Sequence, residues 1–223
     1  MCGRFTIMVD AEDVQEQLTL GSMPANWRPR YNVAPTQPVA VVSDAQTRQV
    51  EWMRWGLVPS WAKDLEIGNR LINARCETAA EKPSFRSAFV QRRCFLLADG
   101  FYEWQHLEGK KGSAVPFHFH LKDRKAFGLA GLWESWHSPE GKILRSCTIL
   151  TTQANAVVSP VHDRMPVILR GADLWRWILP ATSGEHLAML HPLPEDALER
   201  VEVSRLVNRS DYDAPDCVLP AGV

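Results

Sequence analysis

The chain has 223 residues, 45% hydrophobic and 23% charged, with a net charge of −1. That composition describes one globular domain over residues 1–223 with a sizeable core, and its near-zero net charge does not announce a nucleic-acid binder. No run approaches the roughly 18 apolar residues of a membrane helix, and no basic-then-apolar leader opens the chain, so a cytoplasmic protein without membrane association is expected.

The chain opens "MCGRF", with Cys2 directly behind the initiator methionine. Removing Met1 would leave Cys2 with both a thiol and an α-amine, a 1,2-aminothiol. Asp10 can cap a short helix in "AEDVQEQLTL", where Val14 and Leu18 share a face and Gly21 would end it. The four prolines from Pro24 to Pro38 predict an ordered loop. "PVAVVS" and "QVEWMRWGLV" predict a hairpin turning near "SDAQ". After another loop, "RLINAR" reads as a short strand and "PSFRSAFVQ" as a helical turn. "RCFLLADGFYEWQHL" reads as a long buried strand interrupted near Asp99 and Gly100.

"PFHFHL", "AFGLAGLWESW" and "LRSCTILTT" continue the β character, with "EGKKGS" and "SPEGK" as turns. "QANAVV" predicts a short helix, "MPVIL" a strand, "GADLWRWIL" and "SGEHLAML" two helices, and "ALERVEVSRLV" a return to strand. Without internal repeats or linkers, the order of elements predicts an α+β fold: a single compact domain on a mixed, mostly antiparallel, barrel-like sheet with peripheral helices.

Five dispersed cysteines without a CxxC indicate neither a disulfide framework nor a zinc knuckle. His118 and His120 could ligate a metal from one strand face, but no third ligand accompanies them at a telling spacing, so no metal and no cofactor are expected. In "NARCET", Asn73, Arg75 and Glu77 would share one strand face, either a polar site or a solvated edge. Glu103 ends an apolar strand in "LLADGFYEW"; it either points outward or is desolvated with a raised pKa. His162 in "VHDRMPVIL" precedes a strand and suits proton transfer near neutrality. Trp61 lies in the proline-flanked "VPSWAKD", where its ring either anchors the loop or wedges between bases. Residues 185–223 carry eight acids against three arginines, so the remainder is net positive and permits a local basic groove.

The ordered set "MCGRF", "RYNVAP", "WGLVPSWAKD", "INARCET", "CFLLADGFYEW", "AGLWE", "TTQAN" and "VHDRMPVIL" resembles the SOS response-associated peptidase family, also described as abasic-site processing proteins. The resemblance implies a covalent crosslink to abasic sites in single-stranded DNA, shielding of the lesion during replication, and AP-lyase and self-reversal activity. It assigns Cys2 as nucleophile, Glu103 to proton transfer at the amine and ring, His162 to the sugar oxygens, and Asn73 to positioning. Arg4 and Arg75 would hold phosphates, Trp61 would stand beside the unstacked site, and Asn32 and Pro35 would shape the rim of the DNA-binding pocket. Replication-fork proteins are implied as further partners, with a monomer that associates with the nucleoid when bound to DNA. Two alternatives stay open: a thiol peptidase acting on its own Met1 or another peptide, and a noncovalent single-stranded DNA-binding module. This chain departs from the family in having Ala62 beside Trp61, where some members pair aromatics, and Arg209 where a small polar residue is more usual.

Overall fold

In the computed structural model, residues 2–106 and 114–222 are described; the turn expected in "EGKKGS" lies outside them. In chain order the elements are β1 (Arg4–Ile7), α1 (Ala11–Leu18), β2 (Arg30–Val33), β3 (Pro38–Val42), β4 (Val50–Trp55), β5 (Asn73–Arg75), α2 (Cys76–Ala79), α3 (Arg86–Gln91), β6 (Arg93–Ala98), β7 (Gly100–His106), β8 (Ala114–Leu121), β9 (Phe127–His137), β10 (Ile143–Gln153), β11 (Arg164–Pro166), β12 (Ile168–Leu169), α4 (Ala172–Ile178), α5 (Ser183–Ala188) and β13 (Leu198–Glu202).

Strands β4, β3, β6, β9 and β10 pair around a closed ring, antiparallel except for the parallel contact of β4 with β10. A second, wholly antiparallel sheet has the order β13-β8-β7-β1-β2. The fold is therefore α+β, a closed five-stranded mixed barrel with outer strands and short helices. Strand alternation divides the core. Val41, Leu96, Leu129 and Ile149 pack with Phe5, Phe101 and Phe119 of the second sheet, while Val42, Phe95, Ala130 and Leu150 pack with helix residues Val14, Leu18, Phe89 and Trp177.

The long strand expected around Asp99 is two strands, because the chain changes sheets there. β6 belongs to the barrel and β7 to the second sheet. The Asp99 carboxylate holds the crossing by accepting from Thr6 Oγ1 at 2.5 Å and from the Val9 amide at 3.2 Å. Gly100 is required at the crossing, since a Cβ there would lie 2.1 Å from His118 Nε2.

Four expectations need correction. The proline-rich stretch is not loop throughout, because Arg30–Val33 lies between prolines and pairs with β1. Helix α1 ends at Thr19 in the left-handed region (φ 55) rather than at Gly21, with the Thr19 amide donating back to Gln15 and Glu16 carbonyls. "QANAVV" forms a turn instead of a helix, since the Asn155 side chain captures the Val157 and Val158 amides. "MPVIL" splits into β11, paired with β10, and β12, paired with β9.

The C-terminal segment closes over the β1–β2 end of the second sheet. Asn32, fully buried, donates Nδ2 to the carbonyls of Val207, Arg209 and Tyr212 at 3.2, 2.9 and 2.7 Å, and its Oδ1 accepts from Arg4 Nη1 at 2.9 Å. Asp213 returns the contact through the Tyr31 and Asn32 amides. Asn32→Ala would orphan several buried polar groups at once. It should lower unfolding free energy by about 3 kcal/mol in urea melts, whereas the exposed Arg209→Ala should stay within about 0.5 kcal/mol.

Candidate active site

Cys2 lies two residues before the first strand pair, where Arg4 faces Tyr102 and Phe5 faces Phe101 of β7. Its side chain is fully buried, and Sγ lies 3.7 Å from the Arg4 carbonyl. Asn73, at the first position of β5, donates Nδ2 to the Cys2 carbonyl at 2.8 Å. That bond joins the barrel to the second sheet. Asn73 Oδ1 is a buried acceptor with no hydrogen-bond partner among the described residues. Burial pushes the Cys2 thiol well above the usual cysteine range, and the negative charge of Glu103 pushes it further.

Glu103, in the middle of β7, is 3% exposed. Of the two readings of this carboxylate, desolvation holds. Burial raises its pKa to about 7, against the positive charge of the amino terminus, while the Asp163 carboxylate raises it further. The group is thus divided between acid and base near neutrality.

His162 ends a tight turn in which its own amide donates to the Val158 carbonyl at 3.1 Å. Its Nδ1 accepts from the Arg164 amide at 2.9 Å, so the neutral ring carries its proton on Nε2. Desolvation lowers its pKa below the ordinary histidine value, partly offset by the Asp163 carboxylate 2.9 Å from Nδ1. The shift favours the neutral ring. When it is protonated, Nδ1 becomes a donor and Asp163 is the acceptor within reach.

Glu77 does not share a strand face with Asn73 and Arg75, because helix α2 begins at Cys76. The helix instead turns Glu77 toward Arg164, which donates to its two oxygens at 2.6 and 2.8 Å and to the Thr151 carbonyl at 2.6 Å. The Arg164 guanidinium holds the Glu77 carboxyl at about 2, well below the usual carboxylate range. The pair fixes the end of the His162 turn, and sequence spacing concealed it because it joins residues 87 positions apart. Arg75 is exposed at the end of β5.

Trp61 stands on an excursion from the barrel wall. β4 leaves β10 where Trp55 faces Cys147, and β5 rejoins where Asn73 faces Ile149, so residues 56–72 bulge out between nearly consecutive positions. The neck is pinched by two glycines: a Cβ on Gly56 (φ 122) would lie 2.5 Å from the Gly68 carbonyl, and one on Gly68 2.7 Å from the Gly56 carbonyl. Arg54 donates to Asn69 Oδ1 at 2.7 Å, and Trp136 Nε1 to the Ala62 carbonyl at 2.7 Å. On this braced loop Trp61 is 59% exposed, so its ring is not an anchor packed on the sheet.

Asn32 differs from its sequence assignment, and Arg4 is turned partly inward. Arg4 Nη1 turns inward to Asn32 Oδ1 and to the Val207 carbonyl at 2.7 Å, so that nitrogen braces β1. Asn32, with no exposed surface, lies behind the wall. Pro35 is half-buried in the turn between β2 and β3. His118 is buried with Nε2 3.1 Å from Thr6 Oγ1, and burial lowers its pKa to about 3. His120 Nδ1 lies 2.9 Å from the Leu121 carbonyl.

The raised pKa of Glu103 has a stability consequence that needs no ligand. Between pH 4.5 and about 7 the folded protein holds a proton that the unfolded chain has released, so stability falls as pH rises through this window and levels off above it. Glu103→Gln removes that loss. The variant should exceed wild type by about 3 kcal/mol at pH 8.5 and match it near pH 4, read from denaturant melts at the two pH values.

A family model described as SOS response associated peptidase (SRAP) matches residues 1–210. The chain is 41% identical to abasic site processing protein YoqW of Bacillus subtilis (strain 168), over 98% of this chain and 99% of the relative. It is 31% identical to abasic site processing protein HMCES of Mus musculus, over 89% of this chain and 67% of the relative. An X-ray structure of a protein from Bacteroides thetaiotaomicron shares the fold with a TM-score of 0.87 at 22% identity, covering 99% of this chain and all of that one. Matched along nearly its whole length by the family model and by relatives in bacteria and mammals, the chain belongs to the SOS response associated peptidase (SRAP) family.

Proposed function

We propose that this protein processes abasic sites in DNA and does so covalently: with Met1 removed, Cys2 captures the open-ring aldehyde of an abasic site in single-stranded DNA as a thiazolidine. The names of the relatives support the abasic site as target. The observation that carries the chemistry is Cys2 beside a buried carboxyl whose pKa is about 7, with Asn73 bonded to the Cys2 carbonyl.

The steps balance without a cofactor or a redox partner. The Cys2 amine adds to the aldehyde carbon and the resulting carbinolamine loses one water to form an imine. The thiol sulfur then bonds to the same carbon, and the S–H proton ends on the ring nitrogen. One water is released in all. An α-amine with a reference pKa of about 7.7 to 8 is substantially unprotonated near neutrality, unlike a lysine. The second closure is intramolecular, which removes most of its entropic cost. Glu103 accepts a proton from the attacking groups and returns one to the leaving hydroxyl; in reverse, its acid form protonates the thiazolidine. Neutral His162 exchanges protons with the sugar oxygens during ring opening and in the β-elimination of a lyase branch. Asn73 Oδ1 is suited to accept from a sugar hydroxyl or from the Cys2 amine. Arg75 would meet a phosphate and Trp61 the gap beside the lesion, with Pro35 at the rim.

A thiol peptidase is less well supported. Its thiolate requires a depressed cysteine pKa, and both burial and Glu103 move Cys2 the other way.

The direct test is a denaturing gel of protein verified to lack Met1, incubated with a single-stranded oligonucleotide carrying one abasic site. Wild type should give a shifted band without reductant, and an intact oligonucleotide none. Cys2→Ala and Cys2→Ser keep the amine but lack the sulfur of a thiazolidine, so each should give a stable band only when borohydride is added. A wild-type band that survives acetylation of the α-amine, or an equal band from Cys2→Ala without reductant, sinks the reading.

A further inference from the structure

The turn that presents His162 is built largely from its own backbone. Val158 and Ser159 amides donate to the Asn155 carbonyl at 3.2 and 2.9 Å, and Val161 donates to Val158 at 2.8 Å. Among the described residues, three hydrogen bonds donated by side chains tie residues 155–160 to the rest of the molecule. Asn155 Nδ2 reaches the Leu193 carbonyl at 2.9 Å, Arg200 Nη1 of β13 reaches the Val157 carbonyl at 3.2 Å, and Gln105 Nε2 of β7 reaches the Pro160 carbonyl at 3.0 Å. The first two hold the start of the turn. The third acts two residues before His162, while on its other side the bonds of Arg164 to Glu77 and the Thr151 carbonyl hold the end of the turn.

Gln105 also has a special place on its strand. It lies two positions after Glu103, so both side chains leave β7 on the same face. β1 pairs with β7 from Gly100 to Tyr102, and β8 pairs along its whole length, with Glu103 opposite Phe117 and Gln105 opposite Val115. A strand fixed in this way is a rigid base. The hydrogen bond from Gln105 therefore links the Glu103 strand to the irregular turn that carries His162. The Asp163 carboxylate acts on both Glu103 and His162, which agrees with a turn seated close over this face.

From this geometry we infer that Gln105 is a positioning residue that sets the His162 imidazole relative to Glu103 through its bond to the Pro160 carbonyl. The inference deepens the crosslinking reading and rests on it. Gln105 takes no proton and touches no reacting atom. Its contribution is to hold His162 over the sugar oxygens while Glu103 serves the Cys2 amine and thiol. Losing it should therefore impair the step that needs His162 more than the step that needs only Cys2 and Glu103.

Two aldehydes separate these steps. One oligonucleotide carries the natural abasic sugar, which must open its ring; a matched one carries an acyclic aldehyde that is already open. Gln105→Met keeps the length of the side chain and removes the donor. The ratio of crosslinking rates, abasic sugar over acyclic aldehyde, should fall about fivefold in Gln105→Met, the size expected for one lost hydrogen bond. Gln105→Lys restores a donor within reach and should recover most of the ratio. A general loss of folding or DNA affinity would lower both rates together and leave the ratio unmoved. An unmoved ratio overturns the inference.

A second measurement needs no DNA. In wild type the His162 ring, followed by NMR through a pH titration, should titrate below the ordinary histidine value, and in Gln105→Met it should move toward that value as the turn lifts into solvent. An unchanged titration overturns the positioning role. Wild type inert toward both aldehydes would overturn the crosslinking reading instead, and the titration would then decide the role of Gln105 by itself.

Discussion

The hydrogen bond from Asn73 to the Cys2 carbonyl is the point at which the two sheets meet at the start of the chain. A chain terminus is ordinarily the least restrained part of a protein. Here the strand that follows it is paired on both edges, with β7 on one side and β2 on the other. The barrel reaches it through Asn73, and the C-terminal segment reaches it through Arg4 and Asn32. Segments from both ends of the sequence thereby hold the backbone around Cys2, and the buried Glu103 carboxyl lies near enough to act on its thiol.

The electrostatics follow from the same burial. Desolvation raises the Cys2 thiol and the Glu103 carboxyl and lowers His162, so each group moves toward its neutral form. Such a site is poorly suited to a permanent thiolate. It suits a reaction in which protons are passed between neutral partners as bonds form and break, and in which the carboxyl must be present as both acid and base. The cost is borne in stability above neutral pH, the usual price of a buried carboxyl at a functional centre.

How much of this was legible in the sequence depended on whether the signal was local. The β3–β4 hairpin and the strands β8 to β10 followed from alternation and turn residues, and Val14 and Leu18 proved to be the buried face of α1. Glu103 was marked by a conflict between a charged residue and an apolar strand, although the sequence could not choose between its two orientations. What escaped was long-range. The inward bonds of Arg4 left no local signal because its partners, Asn32 and the Val207 carbonyl, are distant in the chain. Glu77 read as a strand residue because the pairing of β5 with β10 stops at Arg75, a boundary set by tertiary contacts. Gln105 carried no signal, since one glutamine near a strand end is ordinary and its meaning lies wholly in the Pro160 carbonyl it meets.

The central claim concerns bonds to both heteroatoms of Cys2, and peptide mass spectrometry reads it most directly. After reaction with an abasic oligonucleotide, the adduct is digested with nuclease and protease and treated with a thiol-alkylating reagent. The account predicts an N-terminal peptide beginning at Cys2 that carries the sugar remnant with the loss of one water and takes up no alkyl group. A remnant attached to a lysine, or an adducted N-terminal peptide whose Cys2 thiol still alkylates, would contradict it.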